Sequence, residues 1–392
     1  MTVQLARLGD ICEINPRLPR DHGLEDDSDV SFVPMAAVSE VSGTIESATL
    51  RRYAEVKKGF TSFSDGDVLF AKITPCMENG KAALATGLAG GRGFGSTEFH
   101  VLRSRGSVLP QWIYYFVRRE TFRREAKRNF TGTAGQQRVP TSFLEEALIP
   151  VPSLEEQRRI VDLLARAEGI VRLRREAQQK AAALIPAIFV DMFGDPATNP
   201  KQWPIHLLGD VVQSVSGGTP AKARPEFWDG DLPWVSPKDM KRDEIIDAED
   251  HVNRRVLSET SLKLVPPDSV LIVVRGMILV HTVPVAMTRV PVTINQDMKA
   301  LRPASCVSAT YLHWLLKVSH AKLLGAVSTA AHGTKKLDTE ALMAMSVPVP
   351  PAVLQQAFSQ RVRAVATIRG QQTEALGKAQ TSFDALLARA FR

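Results

Sequence analysis

The chain repeats part of its own sequence at a spacing of about 200 residues. The segment Leu8–Ile11 (LGDI) returns as Leu208–Val211 (LGDV), and Ile149–Pro152 (IPVP) returns as Val347–Pro350 (VPVP). The matches bracket units of similar length, and a stretch with helical periodicity follows each unit. A duplicated unit predicts a duplicated task, such as binding two copies or two halves of one ligand.

The length and composition exclude several classes of protein. A chain of 392 residues can bury two or three cores, and 44% hydrophobic with 23% charged residues is typical of a soluble globular protein. The longest apolar runs, such as 270–274, are too short to span a bilayer, and residues 1–13 lack the apolar core of a signal peptide. Three widely separated cysteines, Cys12, Cys76 and Cys306, support neither a disulfide framework nor a zinc knuckle. We therefore expect a cytoplasmic protein that does not bind membranes.

The net charge favours a polyanionic partner. The formal charge is +7 and the isoelectric point is about 9.4. Lysine and arginine gain affinity for nucleic acid because they release counterions from phosphates. Many basic proteins never bind nucleic acid, so the charge by itself leaves that function and others equally open.

Two globular segments, residues 1–152 and 198–350, contain the same order of predicted elements. Short apolar runs bounded by glycine, aspartate or proline are typical of strands. Such runs occur at 32–38, 68–73, 99–103, 232–235, 270–274 and 298–302. A helix is predicted after Pro110 and another around 311–316, and a loop of glycine and small residues follows each one. The pattern predicts an α+β fold that occurs twice.

A long helix is predicted after each globular segment, within residues 153–197 and 351–392. Ser153 suits an N-cap, Pro186 predicts a kink, and Gly194 ends the first helix. Apolar residues at steps of three and four form a heptad seam along both helices. The seam comprises Ile160, Leu163, Ala167, Ile170, Ala177, Ala181, Leu184 and Ile188, and then Phe358, Val362, Val365, Leu376, Ala379, Phe383, Leu386 and Ala390.

Two single helices with apolar seams need a partner, and the simplest partner for each is the other. A helix of about 38 residues is roughly 57 Å long. We expect the helices to pair as an antiparallel coiled coil that joins and separates the globular segments around a pseudo-twofold axis. The alternative is that each helix packs on its own globular segment.

Several short phrases resemble the DNA specificity subunit of type I restriction–modification systems. They lie at the junctions into the helices, in the loops before those junctions, in the second globular segment and at the end of the first helix. The phrases are 149–160 (IPVPSLEEQRRI), 135–139 (GQQRV), 333–337 (GTKKL), 233–235 (PWV), 293–299 (TINQDMK) and 193–196 (FGDP). Each phrase is weak alone, whereas their order and duplication are specific and cover essentially the whole chain. The start of the second helix, 351–356, departs from the pattern because it lacks the acidic pair Glu155 and Glu156.

This resemblance implies a non-catalytic DNA-reading subunit that needs no cofactor. The implied layout is target-recognition domain 1 at 1–152, a central helix at 153–197, target-recognition domain 2 at 198–350 and a distal helix at 351–392. Each domain would read half of an interrupted, asymmetric double-stranded DNA target, while the helices set the spacing. The helices would also dock two methylation subunits, joined by two restriction subunits in systems that cleave. A bilobed nucleic-acid-binding or protein scaffold without duplex sequence specificity is the alternative.

The sequence lacks the motifs of a methyltransferase, of an ATP-dependent motor subunit and of a metal-dependent enzyme. The Asn-Pro pairs at 15–16 and 199–200 are each followed by a basic residue, unlike a methyltransferase loop. The glycine-rich stretch 87–95 matches no cofactor fingerprint and no P-loop, so it is interpreted as a flexible loop or a DNA contact. The histidines show no metal-ligand spacing. We expect no metal and no catalytic residues.

The candidate DNA-contacting residues lie in the loops before each helix junction and beside nearby strands. Amide, hydroxyl and guanidinium groups can read base edges, and lysines and arginines can contact phosphates. The candidates are Lys72, Thr74, Lys81, Arg92, Thr131, Thr133, Gln136, Gln137, Arg138, Lys238, Lys241, Arg275, His281, His332, Thr334, Lys335 and Lys336. For each of them, a solvated polar loop or plain surface charge is the simpler alternative.

Some assignments stay open on the sequence. His281 is expected to be a satisfied core residue of a strand-like stretch more often than a metal ligand. Asn295 and Gln296 suit adenine recognition and backbone capping equally well. The arginines of the 118–128 helix could follow phosphates or solvate the helix face, and we favour the second interpretation.

Overall fold

The computed structural model describes residues 4–133, 135–329 and 333–392. The chain forms two units: one comprises Met1–Glu176 with Thr373–Arg392, and the other comprises Ala177–Gln372. Each unit contains a globular part of mixed α and β structure and a segment of each of two long helices. These are α6 (Leu154–Phe193) and α12 (Ala352–Ala390).

The first unit is built on two four-stranded sheets and a two-stranded ribbon. Its strands are β1 (Gln4–Arg7), β2 (Cys12–Ile14), β3 (Asp29–Val33), β4 (Thr49–Arg52), β5 (Thr61–Ser64), β6 (Val68–Ala71), β7 (Ala82–Leu84), β8 (Arg92–Gly95), β9 (Phe99–Ser104) and β10 (Leu148–Val151). The sheet orders are β2-β9-β6-β7 and β4-β3-β8-β5, and β1 pairs with β10. Strand β6 is buried along its whole length, as expected for a continuous apolar run at the centre of a sheet.

The helices of the first unit cover these sheets. They are α1 (Leu8–Ile11), α2 (Tyr53–Val56), α3 (Pro110–Arg118), α4 (Glu120–Arg128) and α5 (Thr141–Glu146). The single helix predicted after Pro110 is in fact two helices, because Arg119 has an extended backbone (ψ 137°) that interrupts it. All six residues from Trp112 to Val117 are buried, and the ring of Trp112 packs on Phe391, just after α12, at 4.3 Å between centroids.

The second unit has the same construction. Its strands are β11 (Ile205–Leu207), β12 (Val212–Ser216), β13 (Leu232–Val235), β14 (Glu244–Ile245), β15 (Asp250–Val252), β16 (Val270–Val273), β17 (Val285–Thr288), β18 (Thr293–Ile294), β19 (Met298–Pro303), β20 (Val327–Thr329), β21 (Lys335–Leu337) and β22 (Ser346–Pro348). Its helices are α7 (Leu208–Val211), α8 (Val256–Glu259), α9 (Ala309–Val318), α10 (His320–Gly325) and α11 (Thr339–Met343).

The order of strands shows that the fold is duplicated. The sheet β2-β9-β6-β7 of the first unit recurs as β12-β19-β16-β17 in the second, which adds β14 at the edge. Likewise β3 runs parallel to β8, and β13 runs parallel to β18. The ribbon of β1 with β10 recurs as β11 with β22. The internal repeat predicted from the sequence is therefore confirmed at the level of topology.

Most predicted strands are confirmed, and two stretches differ. Of the stretch 32–38, only the part up to Val33 is a strand, because Pro34 begins a 3-10 turn at Met35–Ala37. The interpretation of 87–95 as a flexible loop is wrong for its second half, which forms β8. A Cβ on Gly93 would lie 2.3 Å from the Phe63 ring, so the glycine serves close packing there.

The ends of α6 follow the predicted signals. The Ser153 hydroxyl accepts a hydrogen bond from Glu156 N at 3.3 Å, and Gly194 ends the helix with φ of 80°. Pro186 lies inside the helix without ending it. No helix among the described residues is long and apolar enough to span a membrane.

The buried face of α6 agrees with the predicted seam at Ala181 and partly at Ala177, which is half-buried, but elsewhere it is displaced by one residue. Leu163, Ile170 and Leu184 are exposed, and Ile160, Ala167 and Ile188 are half-buried. The buried apolar residues are Val161, Leu164, Val171, Ala181, Ile185, Phe189 and Phe193. The prediction agrees better in α12, where Phe358, Val365 and Phe383 are buried and Val362, Leu376 and Leu386 are half-buried.

Candidate nucleic-acid interface

In the first unit, backbone hydrogen bonds fix the loop Thr131–Arg138 to the end of β6. Arg138 N donates to Thr131 O at 2.9 Å, and Thr131 N donates to Arg138 O at 3.0 Å. On the other side, Thr74 N donates to Gln137 O at 3.0 Å, and Val139 N donates to Lys72 O at 2.9 Å. We call this arrangement the loop clamp. It brings together most of the candidate residues of the first half, which the sequence separates by about 60 positions.

Arg138 is the strongest anchor of the loop. Its Nε and Nη2 donate to the two carboxylate oxygens of Glu98 at 2.9 and 2.7 Å, and its Nη1 donates to Gln136 O at 2.9 Å. Bidentate arginine–carboxylate pairs are geometrically specific. The hydrogen bonds from Arg138 lower the pKa of the Glu98 carboxyl, so the ion pair is present at neutral pH. The guanidinium therefore holds the loop in place, whereas the sequence suggested base readout for it.

The side chains that the loop exposes are uncharged and polar. Thr131, Thr133 and Gln136 are exposed, and Gln137 is half-buried. Hydroxyl and amide groups can each donate and accept hydrogen bonds, as base edges in a DNA groove require. Ala134 lies outside the described residues.

Other candidates of the first unit point elsewhere. Lys81 Nζ donates to Met35 O at 3.2 Å, which draws this side chain away from the loop. Arg92 is the first residue of β8, whereas Glu98 lies beyond the last residue of this strand, and the Arg92 Nη1 donates to Ser64 Oγ at 2.8 Å. The Thr74 hydroxyl donates to the carboxylate of Glu78. These three side chains have structural partners.

The loop clamp occurs again in the second unit with the same backbone hydrogen bonds. Leu337 N donates to Val274 O at 2.9 Å, and Gly276 N donates to Lys335 O at 3.0 Å. Val274 N donates to Asp297 O at 2.8 Å, just as Lys72 N donates to Glu98 O at 2.9 Å in the first unit. The candidate His332 lies outside the described residues, and Thr334 is half-buried.

The side chains on the second clamp differ from those on the first. Arg275 is exposed and pairs through its backbone with Lys336. Lys335 Nζ donates to Thr329 Oγ1 at 2.8 Å, and Lys336 Nζ lies 3.7 Å from a carboxylate oxygen of Asp338. The second clamp therefore carries Arg275, Lys335 and Lys336 at the positions where the first carries Ile73, Gln137 and Arg138.

Contacts and exposure bear on five further residues. The Asn295 side chain accepts a hydrogen bond from Asp297 N at 2.7 Å, so it caps the backbone, and Gln296 accepts from Thr219. The core interpretation of His281 is wrong, because this residue is exposed and follows a 3-10 turn. Lys238 lies 3.6 to 3.7 Å from the carboxylates of two acidic neighbours. Lys241 is exposed.

The arginines of α3 and α4 do not simply solvate a helix face, so the interpretation favoured from the sequence is wrong for three of them. Arg118 forms an ion pair with Glu168 of α6. Arg119 donates to Phe391 O at 3.4 Å, and burial lowers its pKa to about 10. Arg123 donates to a backbone carbonyl at 2.6 Å. All three border a cavity of about 1100 Å³ within the first unit.

Two buried glutamines were given no role by the sequence analysis. Gln157 and Gln355 are almost completely buried at the starts of α6 and α12. The Gln157 side-chain amide accepts a hydrogen bond from Leu109 N (2.8 Å) and donates to Ser107 O (3.1 Å) and Pro152 O (2.9 Å). The Gln355 side-chain amide likewise accepts from Ser308 N (2.7 Å) and donates to Cys306 O (2.9 Å) and Pro350 O (2.8 Å). Their spacing matches the duplication, which is the signal that could have identified them.

The described residues contain no cluster of histidine, cysteine, aspartate or glutamate that could hold a metal ion. Burial raises the pKa of the Cys12 thiol to about 12, which keeps it protonated at neutral pH. The exposed amide, hydroxyl and cationic side chains on the two clamps suit recognition of a polyanion.

A family model and several known proteins resemble this chain. The model of the type I restriction modification DNA specificity domain matches residues 2–181 and 200–374. The Escherichia coli type I restriction enzyme EcoEI specificity subunit is 43% identical over 155 residues, which are 39% of this chain and 26% of that protein. The EcoR124I/EcoR124II specificity subunit of the same species is 28% identical over 69% of this chain and 66% of that protein. The chain thus spans from about a quarter to about two thirds of these relatives' lengths.

Solved structures share the fold over nearly the whole chain. One comes from a study of complex assembly and conformational transition of the type I R-M system, with a TM-score of 0.64 and 23% identity, and covers 99% of this chain and 97% of that one. Another is the type I restriction–modification system S subunit from M. genitalium, with a TM-score of 0.53 and 15% identity over 100% of this chain and 96% of that one. At these identities the likeness concerns the fold alone.

Proposed function

The chain belongs to the family of type I restriction–modification DNA specificity domains, and from this premise we propose that it is the DNA specificity subunit of such a complex. Specificity subunits of these systems recognise DNA and are non-catalytic. Each globular part would read one half of an interrupted, asymmetric double-stranded DNA target. The observation that carries this proposal is the loop clamp, which has the same backbone in both units but presents different side chains.

The duplicated clamp supports recognition of two unlike half-sites. A common backbone frame would place each loop against DNA in the same way, while different side chains would select different bases. The polar set around Gln136 would read the first half-site, and the cationic set around Arg275 would read the second. We keep the predicted limits of the recognition domains, 1–152 and 198–350, and of the helices, 153–197 and 351–392, as part of this proposal.

The long helices are proposed to pair as an antiparallel coiled coil that sets the distance between half-sites. Within the second unit, Phe193 late in α6 contacts Phe358 early in α12, with 5.3 Å between ring centroids. Within the first unit, Arg175 earlier in α6 donates to Gln380 later in α12 at 2.8 Å. Such opposed order supports antiparallel pairing.

The exposed apolar residues of α6 support the proposed docking of partner subunits. Leu163, Ile170, Leu173 and Leu184 are exposed on this helix, and exposed apolar stripes commonly mark protein interfaces. The partners would be two methylation subunits, with two restriction subunits added where the complex cleaves DNA.

Single-molecule sequencing of DNA methylation in the source cell, with and without this gene, tests the function. We expect one interrupted, asymmetric motif to lose methylation when the gene is deleted. In complemented cells, Gln136→Ala should change the first half-site, and Arg275→Ala should change the second. If no motif changes while the methylation subunits are expressed, the chain would be better explained as a scaffold without duplex specificity.

A further inference from the structure

The second unit displays a small apolar surface beside its cationic loop. The 3-10 turn Met277–Val280 follows β16, and three of its four side chains are exposed: Met277 by 63%, Ile278 by 43% and Val280 by 41%. We call this segment the apolar turn. Water-exposed methionine, isoleucine and valine side chains next to one another are unfavourable unless a ligand covers them.

The exposure of the apolar turn is enforced by its surroundings. Leu279, the fourth residue, is 1% exposed and anchors the turn in the core of the second unit. Gly276 N donates to Lys335 O at 3.0 Å, and Leu279 N donates to Gly276 O at 3.2 Å. Gly276 has φ of 131°, a backbone conformation that favours glycine. These contacts hold the three other apolar side chains of the turn outward.

Cations border the apolar turn. Arg275 lies two residues before it, separated only by Gly276, and is exposed, and its backbone pairs with Lys336. Lys335 is joined to the start of the turn through Gly276. An apolar surface flanked by cations fits a ligand that is polyanionic and also presents apolar groups. Among DNA bases, thymine presents such a group, the C5-methyl in the major groove.

We propose that Met277 and Ile278 of the apolar turn contact thymine C5-methyl groups in the half-site that the second unit reads. This inference rests on the proposed function and adds the base that the turn selects. The exposed Arg275 contacts a neighbouring phosphate, and the apolar side chains discriminate T·A pairs from the others.

The equivalent segment of the first unit presents a different surface. It follows Thr74 in the first clamp, and its methionine, Met77, is completely buried. Glu78 and Asn79 lie beside it, and the Glu78 carboxylate pairs with Lys127. The apolar turn is therefore an elaboration of the second unit, consistent with two half-sites that differ in base composition.

Binding of the assembled complex, this chain with its methylation subunits, to duplexes of the genomic motif provides the test. Each thymine of the second half-site is replaced in turn by deoxyuridine, which lacks only the methyl group. The loss of one methyl contact should weaken binding by wild type about fourfold. The double variant Met277→Ser/Ile278→Ser should bind the thymine and deoxyuridine duplexes equally. Ile246→Ser, an exposed residue of the same unit, is the matched control and should behave like wild type.

The outcomes separate the inference from the proposed function. Equal weakening of wild type and the double variant by deoxyuridine, or no weakening at any position, would overturn thymine recognition by the turn while leaving the proposed function intact. A second half-site without any A·T pair would overturn it as well. If wild type shows no preference for the unmodified motif over random duplex, the proposed function fails, and the inference fails with it. Thermal unfolding of the variants confirms that the fold is retained.

Discussion

At the scale of single residues, the Glu98–Arg138 pair shows how a residue with the chemistry of a base reader can serve a different task. The two side chains meet across 40 positions of sequence, and the resulting bidentate pair closes the loop clamp of the first unit. Arginine is commonly used to read guanine, so its residue type alone favours readout. In the folded chain its guanidinium is engaged by the Glu98 carboxylate.

Glu98→Gln should loosen the loop Thr131–Arg138 without unfolding the unit. The neutral amide cannot form a charge-assisted bidentate pair, so the first half-site should be methylated less selectively while the second stays unchanged. Methylation sequencing of complemented cells measures both half-sites at once. Glu146→Gln, at an exposed position of the same unit, is the control. The double exchange Glu98→Arg/Arg138→Glu should restore selectivity, and its failure to do so would argue against the pair as the anchor.

His313 is a buried residue that should make the stability of the second unit depend on pH. It is 2% exposed, and its Nδ1 has no hydrogen-bond partner among the described residues. Burial, and to a lesser extent the nearby positive charge of Lys317, lowers the pKa of His313 from 6.5 to about 4. The folded state therefore holds a neutral imidazole across this interval, whereas the unfolded chain takes up a proton near pH 6.5.

The contribution of the neutral His313 to the free energy of unfolding should therefore be fully present above pH 6.5. It should decrease as the pH falls from 6.5 toward 4, by about 3 kcal/mol in total. His313→Phe keeps a ring in place but cannot titrate, so its stability should fall less over this range. Denaturant unfolding at pH 7 and pH 5 measures the difference. His206→Phe changes an exposed histidine of the same unit and should keep the wild-type pH dependence.

At the scale of elements, the same set of side-chain hydrogen bonds joins the start of each long helix to its globular part. Gln157 and Gln355 each satisfy a backbone N–H and two carbonyls at a helix start. A buried amide with all these partners specifies the angle at which a helix leaves its domain, because alternative angles would leave buried groups unpaired.

Gln157→Met keeps the side-chain volume but removes all three hydrogen bonds. The unpaired backbone groups should lower the free energy of unfolding by about 2 to 4 kcal/mol. Chemical denaturation measures the loss. Gln356→Met, at an exposed position next to the buried Gln355, should be nearly neutral. Equal stability of Gln157→Met and wild type would show that the amide network does not fasten the helix.

At the scale of the whole molecule, the proposed role of the helices as a spacer predicts a change in target geometry. A heptad inserted after Lys180 in α6 together with one after Glu374 in α12 would lengthen an antiparallel pair by about 10 Å. The methylated motif should keep both half-sites and gain about three base pairs of spacer. Methylation sequencing reads this directly. A heptad in one helix alone would mismatch the pair and should abolish methylation, whereas an unchanged spacer in the double insertion would contradict the proposed role.

The agreement between sequence and structure is uneven for physical reasons. Predicted strands such as 68–73 and 298–302 are confirmed, because a continuous apolar run is a local signal. The face of α6 is displaced by one residue, because the chain offers apolar side chains on two adjacent stripes, and packing selects one of them. The apolar turn at Met277–Val280 follows a strand and has no distinguishing local pattern, so its exposure could not be predicted.

The sequence by itself determined the duplication, the order of elements and the family, because these depend on periodicity and on phrases that can be compared along one chain. Only the tertiary structure decided which polar side chains are free to meet a ligand. Arg138 is engaged by Glu98 and Arg118 by Glu168, whereas Gln136 and Arg275 stay exposed. These pairings join residues 40 to 50 positions apart, and the distances and burial that create them exist only once the chain has folded.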